Sequence, residues 1–292
     1  MKWRKNTSSL LAKKENKSRE KRAVRPLFSS KTCAGGRFAF IITVMEIKLR
    51  DSEKLEDLQA GGLMIIQDSG EYRFTSDAVL LANSVRAKKG DLVIDLGTGS
   101  GIIALLVAYK RRPGRVIAVE LQDRLADMAA RSVKYNGMQD TIEVVCRPMQ
   151  TFAAEYKGRK ADVVVCNPPY IKQGCGEAQE KESLRLCSHE EAVTLDEICR
   201  AAGRLLKSGG RFYIVHKAPR CADVFECMTR HSITPKEITT VCAREGDAPY
   251  LVIVCGRKDG GEGLLWHKPI VVYDKDGNFT PTIKQLYGEK DV

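Results

Sequence analysis

From residue 63 onward the chain alternates short apolar blocks of strand character with longer stretches whose apolar positions recur at helical spacing. Leu63 to Gln67 reads as a short strand, and Thr75-Ser76-Asp77 supplies helix-cap chemistry ahead of Ala78-Val79-Leu80-Leu81. Leu92 to Leu96 is an apolar run that ends in a glycine-rich turn. Ile102 to Tyr109, apolar on most faces, follows it as a helix pressed on a sheet. Val116 to Val119 is the next strand, and Leu125, Met128, Ala129 and Val133 mark the inner stripe of the helix after it. Ile142 to Val145 and Ala161 to Cys166 are two more strands, the second running into Asn167-Pro168-Pro169-Tyr170, where the prolines must end any ladder. Thr194 with Glu197 forms a capping box for a helix with the stripe Leu195, Ile198, Cys199, Ala202, Leu205 and Leu206, stopped by Gly209-Gly210.

Arg211 to Val215 is a fifth strand of this series, and Pro219 starts a helix with Cys221, Val224, Phe225 and Met228 inward. Ile233 to Val241 and Tyr250 to Val254 are strands joined by the turn-rich Arg244-Glu245-Gly246-Asp247. Five βα units followed by a hairpin predict an α/β fold with a doubly wound, seven-stranded Rossmann-like sheet, mostly parallel with an antiparallel C-terminal hairpin. Three regions follow from the pattern: residues 1–44 as a disordered extension without sustained periodicity, 45–258 as the folded domain, and 259–292 as a Gly-, Asp- and Lys-rich tail packing on or extending it. The structure of the tail, with its apolar patch Ile270-Val271-Val272-Tyr273, stays open.

Composition changes this picture in one respect. The 292 residues carry a net charge of +11, which invites a nucleic-acid reading, yet residues 1–44 hold 12 Lys and Arg against two acids, leaving +1 for the remainder. The folded part is therefore nearly neutral. Met45-Glu46-Ile47-Lys48-Leu49 looks like a natural start, so part of the preceding segment is expected to lie outside the functional protein. No apolar run approaches the roughly 18–20 residues that cross a bilayer. The basic and polar residues ahead of Phe38 to Met45 do not fit a secretory signal, whereas an organellar transit peptide stays open. Ten cysteines without a Cys-x-x-Cys pair, most of them inside apolar runs, suit a reducing compartment, and the expected location is cytoplasmic. Cys221, Cys227 and His231 have metal-like spacing but lack a fourth partner and lie on an amphipathic helical pattern, so no metal is expected.

The chemistry concentrates at strand ends. Asp95-Leu96-Gly97-Thr98-Gly99-Ser100-Gly101 follows the first strand of the βα series, where doubly wound sheets bind ligands and where glycines let backbone approach them closely. Glu120 ends the next strand, 19 residues beyond Gly101, where a carboxylate can accept hydrogen bonds from both ribose hydroxyls. A dinucleotide fingerprint would need glycine at position 102, and Ile102 is there instead; Asp95 with Gly97, Gly99 and Gly101 points to a different adenosine ligand.

Val93 to Gly101 resembles the first motif of class I S-adenosylmethionine-dependent methyltransferases, and Asn167-Pro168-Pro169-Tyr170 resembles the N-P-P-Y motif of members that methylate a planar amide or amine nitrogen. The resemblance implies S-adenosyl-L-methionine as cofactor, held by Asp77, Asp95, Gly97, Gly99, Gly101 and Glu120, and catalysis by Asn167, Pro168, Pro169 and Tyr170. The Asn167 side-chain carbonyl and the Pro168 backbone carbonyl can accept both N–H bonds of one amine, which aims the nitrogen lone pair at the methyl group. Tyr170 can stack on the target's plane, and no catalytic His or Cys is needed. Ile65-Ile66-Gln67 and Phe74-Thr75-Ser76-Asp77-Ala78-Val79-Leu80-Leu81 are similar to the bacterial tRNA adenine methyltransferases, a small-domain branch that modifies the exocyclic amine beside the anticodon of a valine tRNA. That likeness spans about 45–288, including Ser188-His189-Glu190 and Ile283 to Gly288. It departs from the pattern at Cys146-Arg147-Pro148-Met149, where relatives commonly carry Asp near the cofactor's adenine, so no adenine contact is assigned.

A tRNA partner needs phosphate contacts, and Lys172 and Arg185 after the N-P-P-Y motif, with Lys217 and Arg220 after the fifth strand, are the candidates. Lys110-Arg111-Arg112 sits at a helix C-terminus, where cations suit the dipole and face away from the site. Two other readings compete. A protein glutamine methyltransferase acting on release factors uses the same four residues, but about fifty residues between Met45 and Asp95 leave little room for its helical substrate domain. A non-catalytic RNA-binding module would have damaged motifs, and both are intact. A DNA adenine methyltransferase would need a target-recognition region for which the chain has no obvious space.

Overall fold

The computed structural model describes residues 21–32, 38–68, 76–169 and 193–287. Strands β1 (Lys21–Thr32) and β2 (Phe38–Leu49) pair antiparallel. These strands fall within the segment expected as an extension, where the aromatic and β-branched run Phe38–Val44 suits an extended chain and pairs with β1. A second hairpin, β3 (Glu53–Asp57) with β4 (Met64–Asp68), precedes helix α1 (Ser76–Ser84). The βα series follows as β5 (Leu92–Leu96), α2 (Ile102–Arg111), β6 (Arg115–Glu120), α3 (Asp123–Tyr135), β7 (Ile142–Cys146), α4 (Met149–Glu155) and β8 (Ala161–Cys166). Then come α5 (Leu195–Leu205), β9 (Leu206–Lys217), a 3-10 turn, α6 (Cys221–Arg230), β10 (Ile233–Cys242) and β11 (Leu251–Lys258). The tail adds β12 (Leu265–Trp266), β13 (Ile270–Val271) and α7 (Pro281–Leu286).

Seven long strands form one sheet in the order β7-β6-β5-β8-β9-β11-β10, with β11 antiparallel to both neighbours and β5 to β9 mutually parallel. This is the predicted doubly wound α/β sheet, and the two-residue strands β12 and β13 add to its β10 edge. Alternation along β5 shows how the helices cover it. Leu92, Ile94 and Leu96 join a core with α4, α5 and α6, while Val93 joins the opposite core with α1 and α2. No helix among the described residues is long and apolar enough to cross a membrane.

The β3–β4 hairpin is held to α3 by polar groups. Ile66 N–H donates to Ser132 Oγ at 3.0 Å, and Arg131 forks onto buried Glu53 with two bonds of 2.7 Å. Burial pushes the Glu53 carboxyl up, but the Arg131 fork and the Arg50 N–H outweigh it and hold the group below its ordinary range.

Helix α5 begins as its sequence dictates. Thr194 and Glu197 form the complete capping box, and Ile198, Cys199, Ala202 and Leu205 are buried. Thr194→Ala should lower stability by about 1 kcal/mol, read as a lower urea midpoint with an unchanged slope. The helix stops before Gly209-Gly210, however, and β9 begins earlier than Arg211. Leu206 pairs with Ala161, and Gly209 at φ 74 lets the strand pass an irregularity between Ala161 and Val163.

The tail runs beside β10 and folds back over the α1–α2 face. His267 N–H bonds to Ile238 C=O, Ile283 is buried, and Lys110 Nζ donates to Asn83 Oδ1 at 2.7 Å and to Leu286 C=O at 2.9 Å. The basic cluster at the end of α2 thus ties helices together.

Candidate active site

The sheet brings three loops to one level. Leu96 pairs with Val119 on one side and with Cys166 on the other, so Gly97, Glu120 and Asn167 leave or end neighbouring strands side by side. This edge, between β5 and β8, is the point at which the strand order reverses and where open α/β sheets take ligands.

The glycine turn is built for close approach. Gly97 and Thr98 N–H groups both donate to Val119 C=O, at 2.8 and 3.0 Å. Gly99 has φ 59, and a Cβ there would meet nothing within 4 Å, which describes an open cradle. Gly101 has φ 95 and opens α2 with Ala129 of α3 against it, so a Cβ would sit 3.2 Å from the Ala129 methyl. The cradle needs one glycine for space and the other for backbone and packing.

Asp95 lies beneath this turn, fully buried on the Val93 face. Thr98 Oγ1 donates to its Oδ2 at 2.5 Å, and its Oδ1 has no hydrogen-bond partner. Burial raises its pKa to about 7; the Thr98 bond opposes the rise and the Glu120 charge adds to it. Glu120 is aimed by backbone: Gly99 N–H donates to its Oε2 at 2.8 Å, and Leu121 and Gln122 N–H groups donate to its Oε1 at 2.9 and 3.0 Å. Asp77, at the start of α1, is also buried.

Asn167 follows β8 directly, and its Oδ1 is buried without a partner in the structure. A buried acceptor left unpaired is costly unless a ligand donor completes it. Pro168 is buried and Pro169 exposed. Two buried acceptors, an open glycine cradle and an aimed carboxylate fit an adenosine-bearing cationic cofactor and a neighbouring N–H donor. Tyr170, Lys172, Arg185 and Ser188-His189-Glu190 lie outside the described residues, as do Phe74, Thr75 and Gly288.

Lys217 ends β9 on the same edge of the sheet. Arg220 is three residues further and is ion-paired to Asp223 in the first turn of α6. His216, the penultimate residue of β9, is buried, and burial followed by the Arg220 charge lowers its pKa. His231 bonds Asp196 Oδ1 at 2.9 Å rather than grouping with Cys221 and Cys227, and no His, Cys, Asp or Glu group among the described residues could hold a metal.

Sequence reasoning gave no role to four neighbours of the site: Thr98, Ser100, Gln67 and Met149. Thr98 holds Asp95, and Gln67 Nε2 donates to Ser100 Oγ at 2.5 Å, tying buried Gln67 of β4 to the glycine turn. Met149 Cε lies 3.7 Å from where a Gly97 Cβ would stand. A polar residue closing the apolar run Leu63–Ile66 was the available signal for Gln67. At the departure from the family pattern, Cys146 Sγ bonds Asp123 Oδ1 at 2.9 Å, so a carboxylate stands beside this position from α3.

Residues 71–230 match the sequence model described as "Methyltransferase small domain". A Bacteroides fragilis (strain YCH46) protein named "tRNA1(Val) (adenine(37)-N6)-methyltransferase" is 25% identical over 189 residues, covering 64% of this chain and 78% of its own. A protein of the same name from Dickeya chrysanthemi (strain Ech1591) is 26% identical over 243 residues, covering 78% of this chain and 93% of its own. Among solved structures, one titled a predicted O-methyltransferase from Agrobacterium tumefaciens superposes with a TM-score of 0.59 at 22% identity, over 74% of this chain and 98% of that one, and shares the fold.

Proposed function

The chain belongs to the methyltransferase small domain family and takes S-adenosyl-L-methionine as its methyl donor; from that premise we propose that it methylates the exocyclic amine of an adenine in tRNA, near the anticodon. The observation that carries the reading is the buried, unpartnered Oδ1 of Asn167, one strand away from the glycine cradle. An exocyclic amine has two N–H donors in one plane, and Asn167 Oδ1 with the Pro168 carbonyl offers two acceptors. Accepting both turns the nitrogen lone pair out of conjugation and toward the methyl group. The names of the B. fragilis and D. chrysanthemi relatives support adenine and tRNA as the substrate class.

When bound, the cofactor supplies an electrophilic methyl on a sulfonium. Gly97, Gly99 and Gly101 would give it backbone access, Glu120 would accept from its ribose hydroxyls, and Asp95 and Asp77 would supply carboxylates for its cationic methionine end. Methyl transfer to the amine would leave a cationic nitrogen, whose extra proton would pass to water. Asn167 and Pro168 hold the positive charge that grows on nitrogen, while Tyr170 stacks on the base and keeps it extruded. Lys172, Arg185, Lys217 and Arg220 are the phosphate contacts in this reading. A tRNA substrate puts the enzyme in the cytoplasm.

The test is transfer of labelled methyl from S-adenosylmethionine into total tRNA followed by nucleoside analysis. Methylated exocyclic adenosine is the expected product. Label found only in a release-factor glutamine, or only in DNA, would overturn the assignment.

A further inference from the structure

Resting on the RNA reading above, we propose that Tyr250, Tyr273, Phe279 and Tyr287 form a stacking platform for the unpaired bases that flank the target adenine in an RNA loop. Large hydrophobic side chains exposed among the described residues are Tyr109, Tyr250, Leu265, Trp266, Tyr273 and Phe279, so all but one fall within 250–279. Leu265 and Trp266 pair beside the middle of β10, away from the ligand edge. Tyr250, Tyr273 and Phe279 gather at that edge.

Three rings make a column. Tyr273 and Phe279 stack with centroids 5.4 Å apart and planes 16° apart, and Phe279 and Tyr287 stack at 6.2 Å and 22°. Tyr273 and Phe279 keep 37% and 44% of their surface in water. Phe279 is the middle ring and holds the other two in register, so a base can continue the column on its outer rings. Backbone pins the column to the sheet: Tyr273 N–H donates to Ala243 C=O just after β10, and Thr280 N–H to Val272 C=O. Tyr250, 41% exposed, enters β11 at the same edge, with its N–H on Val241 C=O and its C=O accepting from Ala218.

The platform adjoins the site. Leu251, next to Tyr250, pairs with Lys217 at the end of β9, and Tyr287 follows the tail helix that packs on α1, the helix carrying Asp77. Lys275 lies two residues after Tyr273, and Arg244 follows Ala243, whose C=O takes the Tyr273 N–H; both stand exposed, available to phosphates. The nearby Asp274 carboxylate is turned into its own loop, where Oδ1 accepts from Asp276 and Asn278 N–H. Extruding one base from a loop breaks its stacking on both neighbours, and aromatic faces beside the pocket replace that stacking without reading sequence. A near-neutral folded domain lacks a broad basic field, so it needs such contacts to hold RNA.

The test measures affinity of the full chain, saturated with S-adenosylhomocysteine, for an RNA hairpin with an unpaired adenine in its loop. A second hairpin carries abasic sites on either side of that adenine. Phe279→Leu should bind the intact hairpin about tenfold more weakly, Phe279→Tyr should bind like wild type, and the Leu variant should lose little on the abasic hairpin. S-adenosylhomocysteine affinity should not change in either variant. Wild-type affinity in Phe279→Leu, or an equal loss on both hairpins, overturns the platform. A concentration-dependent dimer dissolved by Phe279→Leu also overturns it, because the rings would then belong to a second copy. A wild type that methylates a protein glutamine and binds neither hairpin refutes the RNA reading itself, whereas one that methylates the intact hairpin and is indifferent to Phe279→Leu refutes the platform alone.

Discussion

Asn167→Ala should reduce the rate of methyl transfer by at least about a hundredfold while leaving S-adenosylmethionine affinity within a few-fold of wild type. The asymmetry follows from geometry. Asn167 leaves β8 beside the cradle but contributes no atom to the glycine turn, so the cofactor loses nothing when the amide goes. The substrate amine loses one of two in-plane acceptors, and with it both alignment and stabilisation of the charge that grows during attack. Single-turnover transfer compared with calorimetric cofactor binding separates the two effects. Equal losses in rate and cofactor affinity would show that the β8 loop shapes the cofactor pocket instead. Stability is expected to rise slightly, since the variant removes a buried acceptor that has no partner in the free protein.

Replacing Asp95 should act on the cofactor, with a pH signature. Burial, with the Glu120 charge added and the Thr98 bond opposing, raises the Asp95 pKa from 3.8 to about 7 in the free protein. The folded state therefore favours the protonated form. That contribution to stability is complete below the unfolded value and is lost as pH rises through about 7. A cationic ligand favours the other form. S-adenosylmethionine affinity should therefore tighten as pH rises from about 6 to about 8, with proton release on binding below neutrality, by up to about tenfold per pH unit. Asp95→Asn should bind about tenfold or more weakly at high pH, where a charge-assisted contact is lost, and should flatten the pH dependence. Calorimetry in buffers of different ionisation enthalpy reads both quantities. A wild-type affinity that is level across this range would mean that Asp95 serves the turn through Thr98 alone.

Much of the architecture was legible because local chemistry and tertiary packing agree. Leu92–Leu96 and Ala161–Cys166 are apolar runs bounded by turn residues, and they are strands at those residues. The Thr194–Glu197 box states its own geometry. Misreadings arose where a distant partner decides. Glu53–Asp57 is mostly charged and carries no strand pattern of its own; it is a strand because Arg131, from α3, neutralises Glu53 on the buried face. Leu206 continues the helical stripe of Leu205, yet it pairs with Ala161 because Gly209 can take a left-handed turn inside a strand. In the site, Asp95, Glu120 and the three glycines were visible from type and spacing. Thr98 and Gln67 were not, because what they hold becomes a neighbour only on folding.

The tail has a further consequence for how the molecule behaves in a crowded solution. Without β12 and β13, the outer side of β10 would offer an open row of backbone donors and acceptors, an invitation to edge-to-edge pairing with other chains. The segment that carries the ring column thus also closes the sheet against self-association, and Lys110, by gripping Leu286 C=O, keeps that closure in place from the far helix.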